Sequence, residues 1–257
     1  MKVEVLLSVM NFSKEDIDKM NIQSDCIVIN QCNHNGYEEY KNYRIFYSDE
    51  LGLSNSRNKG IDNAKNDIVI LCDDDVIYKK DFEKLIVEEF EKNKIADIIV
   101  FNIDSPNRKI KLNKKNKRLH FYNILRYTST RVAFRTDIIQ KSGLKFNPLF
   151  GPGSKYLNGE ESIFLTQCLR KGLKIYSSTN NIATVLQNKS TWFKGYDEKY
   201  FFDKGAIYTA INKRIRHILI LQFLLRHREV LTKIKFIDAY KIMLKGSKDY
   251  LETIKRK

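Results

Sequence analysis

The chain lacks the features that mark several large classes of protein. Its four cysteines, Cys26, Cys32, Cys72 and Cys168, form no C-x-x-C pair, so their spacing writes neither a zinc site nor a disulfide framework. Three of them sit in apolar runs, as reduced, buried thiols of a cytosolic protein do. No apolar run approaches the roughly 20 residues of a bilayer-spanning helix. The opening MKVEVLLSVM carries charge inside a short apolar run and reads as a first strand, not as a signal peptide. With three prolines and eleven glycines there is no low-complexity linker, and no internal repeat is visible. Acidic residues are in deficit, 31 against 46 Lys and Arg, for a formal net charge of +15. That charge comes without an RNP motif, zinc-finger spacing or a KH-type GXXG loop, which ranks nucleic acid low among partners.

What is present describes a globular chain. Of its 257 residues 42% are hydrophobic and 12% aromatic, enough for one sizeable core or one core plus a small appendage. The positive charge is uneven: from Ile211 onward 13 Lys and Arg face 4 Asp and Glu, and NRKIKLNKKNKR over 107–118 forms a second basic run. Both patches suit a phosphorylated substrate or an anionic membrane surface. Residues 218–225, ILILQFLL, lie between Arg214 and Arg216 on one side and Arg226 and Arg228 on the other. Such a segment is too short to span a bilayer, and either packs on the main domain or lies in a membrane interface.

Strand and helix patterns alternate over the first hundred residues. Buried strands are expected at 3–10, 25–30, 43–47, 67–72 and 96–102. Helices are expected at 13–20, started by a Ser13–Asp16 capping box, at 56–64, capped from Ser54, and at 80–92. This alternation argues for a mostly parallel sheet covered by helices, whose ligands sit at the carboxyl ends of the strands. Further along, 107–118 reads as an exposed loop, 126–135 as a strand and 136–143 as a short helix. A helix over 161–171 closes at Gly172, followed by strands at 173–177 and 182–186 and helices from about residue 196.

The expected strand at 67–72 ends in Asp73, Asp74 and Asp75. Three consecutive carboxylates repel one another, and a divalent cation is the simplest reason to keep them at a strand end. An acidic turn capping the next helix is the bland alternative.

Three segments occur in order: GLSNSRNKGIDNA at 52–64, ILCDDDV at 70–76 and NGEESIFLTQCLRKGLKI at 158–175. Together they make the chain resemble family 2 glycosyltransferases of the GT-A fold, especially bacterial enzymes of capsular or surface polysaccharide synthesis. The resemblance covers roughly residues 1–195, a nucleotide-sugar-binding and catalytic domain, and leaves 196–257 as a helical basic C-terminal extension. It implies an α/β, Rossmann-like GT-A sheet, and an inverting transfer of sugar from a nucleotide-diphosphate sugar, UDP-sugar first, to an acceptor hydroxyl. It also implies a Mn²⁺ or Mg²⁺ cofactor, an oligosaccharide acceptor of the lipid-diphosphate-linked kind, and a cytoplasmic location at the inner face of the membrane.

By the same resemblance Asp73 faces the ribose, Asp75 ligates the metal and Asp74 stands beside them. Arg57 contacts the nucleotide, and Asn58 is a structural hydrogen bonder. The catalytic base falls on Glu161, where many relatives carry Asp, with Glu160 as the second candidate. Asn30 and Gln31 stand where relatives place the base-reading Asp. Gln187 replaces a His found in many relatives, and Trp192 is a candidate stacking platform for an acceptor sugar or a core residue. Two other classes fit parts of the pattern. A sugar-nucleotide or polysaccharide binder would keep Asp73 and Asp75 without needing Glu161, and another metal-dependent phosphoryl-processing enzyme would use the aspartates alone.

Overall fold

The computed structural model describes residues 1–107, 109–186 and 195–256. The apolar opening run is strand β1 (Val3–Met10), buried up to its last residue. The chain continues through α1 (Lys14–Asp18), β2 (Asp25–Gln31), β3 (Gly36–Tyr40), β4 (Tyr43–Ser48), α2 (Leu53–Asn63), β5 (Ile68–Cys72), β6 (Val76–Tyr78) and α3 (Phe82–Lys92). It goes on through β7 (Ile98–Asp104), β8 (Lys117–Arg118), α4 (Phe121–Ile124), β9 (Val132–Arg135), α5 (Thr136–Ser142), α6 (Glu160–Arg170) and β10 (Ile175–Val185). Three helices follow, α7 (Glu198–Ile211), α8 (Arg216–Arg226) and α9 (Phe236–Lys255).

The strands form one sheet in the order β3-β4-β2-β1-β5-β9-β7-β10-β6, with β8 paired to β10. Parallel pairing joins β4, β2, β1 and β5 on one side and β7 with β10 on the other. β9 lies antiparallel between β5 and β7, so those two strands still point the same way. Alternate side chains of the buried strands feed two cores. Val5, Leu7 and Val28 pack with Phe82, Ile86 and Phe90 of α3, while Leu6, Ile27 and Ile29 pack with Ile61 of α2 and Phe164 and Leu165 of α6. The expected α/β architecture, a mostly parallel sheet covered by helices on both faces, is therefore the one observed.

Several local expectations change. Ser54 is not the cap of α2: Gly52 holds that position at φ 107°, and the Ser54 hydroxyl donates to the Phe150 carbonyl at 2.7 Å. Ser13 precedes α1, but its hydroxyl bonds the Asp16 side chain instead of a backbone N–H. Only Val132–Arg135 of the 126–135 stretch is strand, because residues 129–131 wind into a 3-10 turn. The two strands expected at 173–177 and 182–186 are the single strand β10, which absorbs register shifts against β7 in its middle. β3, GYEEY, is a polar edge strand that no apolar run announced.

The last helices are packed into the molecule. α7 and α9 cross in close backbone contact at two glycines: a Cβ on Gly205 would lie 1.8 Å from the Met243 carbonyl oxygen, and one on Gly246 1.9 Å from that of Phe202. Phe150, Tyr156 and Ile163 share a core with Ala206, Ile207 and Tyr250. Among the described residues no helix is long and apolar enough to cross a membrane.

Candidate active site

The carboxyl end of β5 delivers Asp73 to a cleft of about 740 Å³. Its walls include Leu53 and Arg57 of α2, the 125–128 stretch, residues 157–162 at the start of α6, and Lys199, Tyr200, Asp203 and Lys204 of α7.

Arg57 is the centre of this wall, 1% exposed. Its guanidinium donates to Asp73 Oδ1 at 3.1 Å, Ser129 Oγ at 2.7 Å and Glu160 Oε1 at 3.3 Å, and lies 3.8 Å from Glu161 Oε1. Beneath it the Phe146 ring centroid is 5.4 Å away. Burial opposes the Arg57 charge, but Asp73, Glu161 and Glu160 more than reverse that penalty and hold its pKa above the ordinary value. Ser129 donates in turn to Asp73 Oδ2 at 3.3 Å, and its backbone N–H reaches Glu161 Oε1 at 3.4 Å. One arginine thus ties together a strand end, a 3-10 turn and a helix start.

The segment GLSNSRN explains itself here. Gly52 N–H donates to Gln31 Oε1, Leu53 N–H to the Pro152 carbonyl, and Ser54 to the Phe150 carbonyl. The Asn58 amide clamps residue 146, donating to its carbonyl at 2.8 Å and accepting from its N–H at 2.7 Å. Leu53, Ser54 and Asn58 stitch α2 to the loop that carries Phe146 and leads to Glu160, while Gly52 ties its start to β2. Asn58 is thereby the structural hydrogen bonder expected of it.

The two glutamates differ. Gly159 caps α6 at φ 97°, where a Cβ would come within 2.5 Å of Ile207. Glu160 then turns inward with a side chain 4% exposed, while Glu161 is 19% exposed on the cleft side. Burial, then the Glu161 charge, raise the Glu160 carboxyl to about 8 against the partial relief that Arg57 provides. Glu160 Oε2 has no hydrogen-bond partner among the described residues, nor does Asn158 Oδ1 beside it.

The remaining candidates are placed as follows. The Asn30 amide is engaged with the Phe12 backbone, accepting from its N–H and donating to its carbonyl, each at 3.1 Å. Gln31 is buried and holds Gly52. Asp74 is exposed, and Asp75 accepts the Leu186 N–H on its backbone carbonyl. No group of three or more His, Cys, Asp or Glu side chains converges as a metal site among the described residues. Gln187 and Trp192 lie outside the described residues. The structure adds Ser129, which sequence reading buried in a strand, and Lys204, whose ammonium stands 5.5 Å from the Tyr200 ring centroid in the cleft wall. Neither has a sequence signal of its own: Ser129 depends on a 3-10 turn, and Lys204 is one of two lysines on a helix whose charges balance.

The mostly parallel sheet with helices on both faces matches the GT-A glycosyltransferase fold. Residues 27–147, a little under half of the chain, match the family model described as Glycosyl transferase family 2. Among solved structures the chain is similar to S. aureus TarS 1-349 in complex with UDP-GlcNAc, with a TM-score of 0.68 at 14% identity over 98% of this chain and 81% of that one. It is also similar to the same fragment in complex with UDP, with a TM-score of 0.65 at 14% identity over 98% and 83% of the two chains. Of a longer TarS structure it covers 46%, with a TM-score of 0.63. No curated protein matches the chain by sequence.

Proposed function

We propose that this chain is an inverting glycosyltransferase that passes a sugar from a nucleotide-diphosphate sugar to an acceptor hydroxyl, in bacterial surface or capsular polysaccharide synthesis. The observation that carries the reading is the Arg57–Asp73–Ser129–Glu160–Glu161 cluster, gathered from four separate segments into one cleft wall at the ligand edge of the sheet. The family match over residues 27–147 supports it, and the TarS structures that hold UDP-GlcNAc and UDP support a UDP-sugar as donor.

In this reading Glu161 is the general base. It faces the cleft, and the Ser129 N–H and the Arg57 guanidinium fix its carboxylate. The acceptor oxygen forms its bond to the anomeric carbon as the bond to the diphosphate breaks on the opposite side, and the acceptor proton passes to Glu161. Burial and the Glu161 charge raise the proton affinity of Glu160 and favour its neutral form, which lightens the negative charge set against Arg57. Asp73, held by Arg57 and Ser129, is the rigid carboxylate for the ribose side of the donor.

A divalent cation, Mn²⁺ or Mg²⁺, fits the chemistry of the triplet's hard oxygen donors. As the resemblance to family 2 glycosyltransferases implies, Asp75 would hold the cation. When bound it stabilises the charge that develops on the departing diphosphate.

The test is thermal stabilisation of the full chain by UDP, GDP and dTDP with and without Mn²⁺, followed by release of nucleoside diphosphate from the stabilising donor. Metal-dependent stabilisation by UDP with turnover on an acceptor supports the reading. Stabilisation without turnover on any saccharide acceptor would make the chain a binder, and no stabilisation by any nucleotide would sink both.

A further inference from the structure

Helix α8 presents an apolar stripe to solvent. Ile218, Leu221 and Leu225 repeat at helical spacing, with Ile215 one turn before them, and their exposures are 65%, 44%, 49% and 41%. The opposite side of the helix is satisfied: Ile220, Phe223 and Leu224 pack into a core with Phe201, Ala239 and Met243. The stripe is therefore surplus to folding, an unusual amount of aliphatic surface to leave against water.

Its surroundings are basic. Across 211–235 there are seven Lys and Arg and a single acid, Glu229, which lies 2.9 Å from His227. Lys213, Arg214, Arg226 and Arg228 are exposed at the two ends of the helix. A self-complementary contact between two copies would bring these like charges together, which works against a second copy as the cover. A phosphate-rich surface with an apolar interior satisfies both features at once. An 11-residue helix is too short to span a bilayer but suited to lie in its interface, stripe down and cations at the headgroups.

We propose that α8 is an in-plane docking helix for an anionic lipid bilayer, with Ile218, Leu221 and Leu225 inserted among the headgroups. The contact sits one helix layer behind the cleft. On the buried side of α8 the Phe223 ring lies 6.4 Å from that of Tyr200 and 5.9 Å from the Lys204 ammonium, and both residues line the cleft. Docking would hold the cleft within about 10 Å of the lipid surface, one interhelical spacing. The proposal does not rest on the transferase reading, and its test reads binding alone.

The experiment is co-sedimentation of the full chain with vesicles of phosphatidylglycerol and phosphatidylcholine in equal parts, and with phosphatidylcholine alone. Binding is expected to the anionic vesicles at low salt, with release near about 0.5 M salt, where the Debye length shrinks to a few ångströms. The Ile218→Asp, Leu221→Asp double variant should bind at least about tenfold more weakly with an unchanged melting profile, because both side chains are exposed. The Arg226→Glu, Arg228→Glu variant should lose the salt-sensitive binding by a second route. Absence of wild-type binding at low salt would overturn the proposal, as would unchanged binding by both variants. Conversion of a wild-type dimer to monomer by the aspartate pair, seen by gel filtration without vesicles, would assign the stripe to a second copy instead.

Discussion

Glu160 and Glu161 are neighbours in sequence but sit in different surroundings, and the difference can be measured. Glu161→Gln removes the carboxylate on the cleft side and keeps its shape, so transfer should fall by about 10²–10⁴ while UDP binding stays within a few-fold. Glu160→Gln replaces a buried carboxyl whose neutral form its surroundings favour, so transfer should persist within about tenfold. The reverse ranking in a turnover assay would move the base to Glu160. The same substitution has a stability signature. Glu160 titrates at 4.5 in the unfolded chain and at about 8 when folded, so between those values the folded chain holds a proton that the unfolded chain has lost. Stability therefore falls as pH rises across that window and is flat in this respect above it. Glu160→Gln should abolish that slope and gain on the wild type at pH 9, on the order of a few kcal/mol for a shift of this size. Urea unfolding at pH 5 and pH 9 checks it, and parallel pH dependence in both proteins would contradict a buried, protonated Glu160. Arg57 is the common partner. Arg57→Met strands Asp73 and Glu161 beside a buried apolar side chain, and losing one partner of a buried ion pair costs about 3–5 kcal/mol. Equal melting temperatures for that variant and the wild type would mean the cluster is not paired in solution.

At the level of elements, the sequence was most readable where a strand is buried on both faces. Val3–Met10 is apolar except for Glu4 and Ser8 because both sides of β1 meet a core, and its hydrophobicity marks it as a strand. Readability failed where the reason for a residue lies elsewhere in the chain. Ser54 looked like a cap because serine before an apolar run usually caps, yet the carbonyl it meets belongs to Phe150, far along the chain. Ser129 was hidden inside an apparent strand because residues 129–131 wind into a 3-10 turn before β9 begins, and there its hydroxyl meets Asp73. Glu160 and Glu161 were legible as a pair at a helix start, but not which one turns inward; Gly159 and its contact with Ile207 decide that. The crossing of α7 and α9 was equally invisible, since two glycines on separate helices signal nothing until they face each other. Gly205→Ala would put a methyl on the Met243 carbonyl and force the helices apart. A loss of about 3 kcal/mol is expected, a fall in melting temperature of roughly 6–12 °C for a chain of this size. An unchanged melting temperature would show that the crossing is looser than the backbone contact implies.

For the whole molecule the question is whether the cleft and the last three helices behave as one body. Leu157 N–H donates to Asp203, Tyr156 donates to Asp249, and Gly159 packs on Ile207, so the loop before the glutamates is held from both sides. Phe150, whose carbonyl receives Ser54, sits in the same core as Tyr250. Loss of α7 and α9 would therefore expose Phe150, Tyr156 and Ile163 together and release the Glu160 loop. Elements that share one core unfold together. The far-ultraviolet melt of the wild-type chain should accordingly be a single transition, and UDP with Mn²⁺ should raise that transition as a whole, by about 2.7 kcal/mol of stabilisation at a hundredfold excess over Kd. Calorimetry with and without nucleotide makes the comparison. If a lower-temperature transition separates and stays put while UDP moves only the upper one, the C-terminal helices fold apart from the cleft. Their contacts to the Glu160 loop would then not be what holds the proposed base in position.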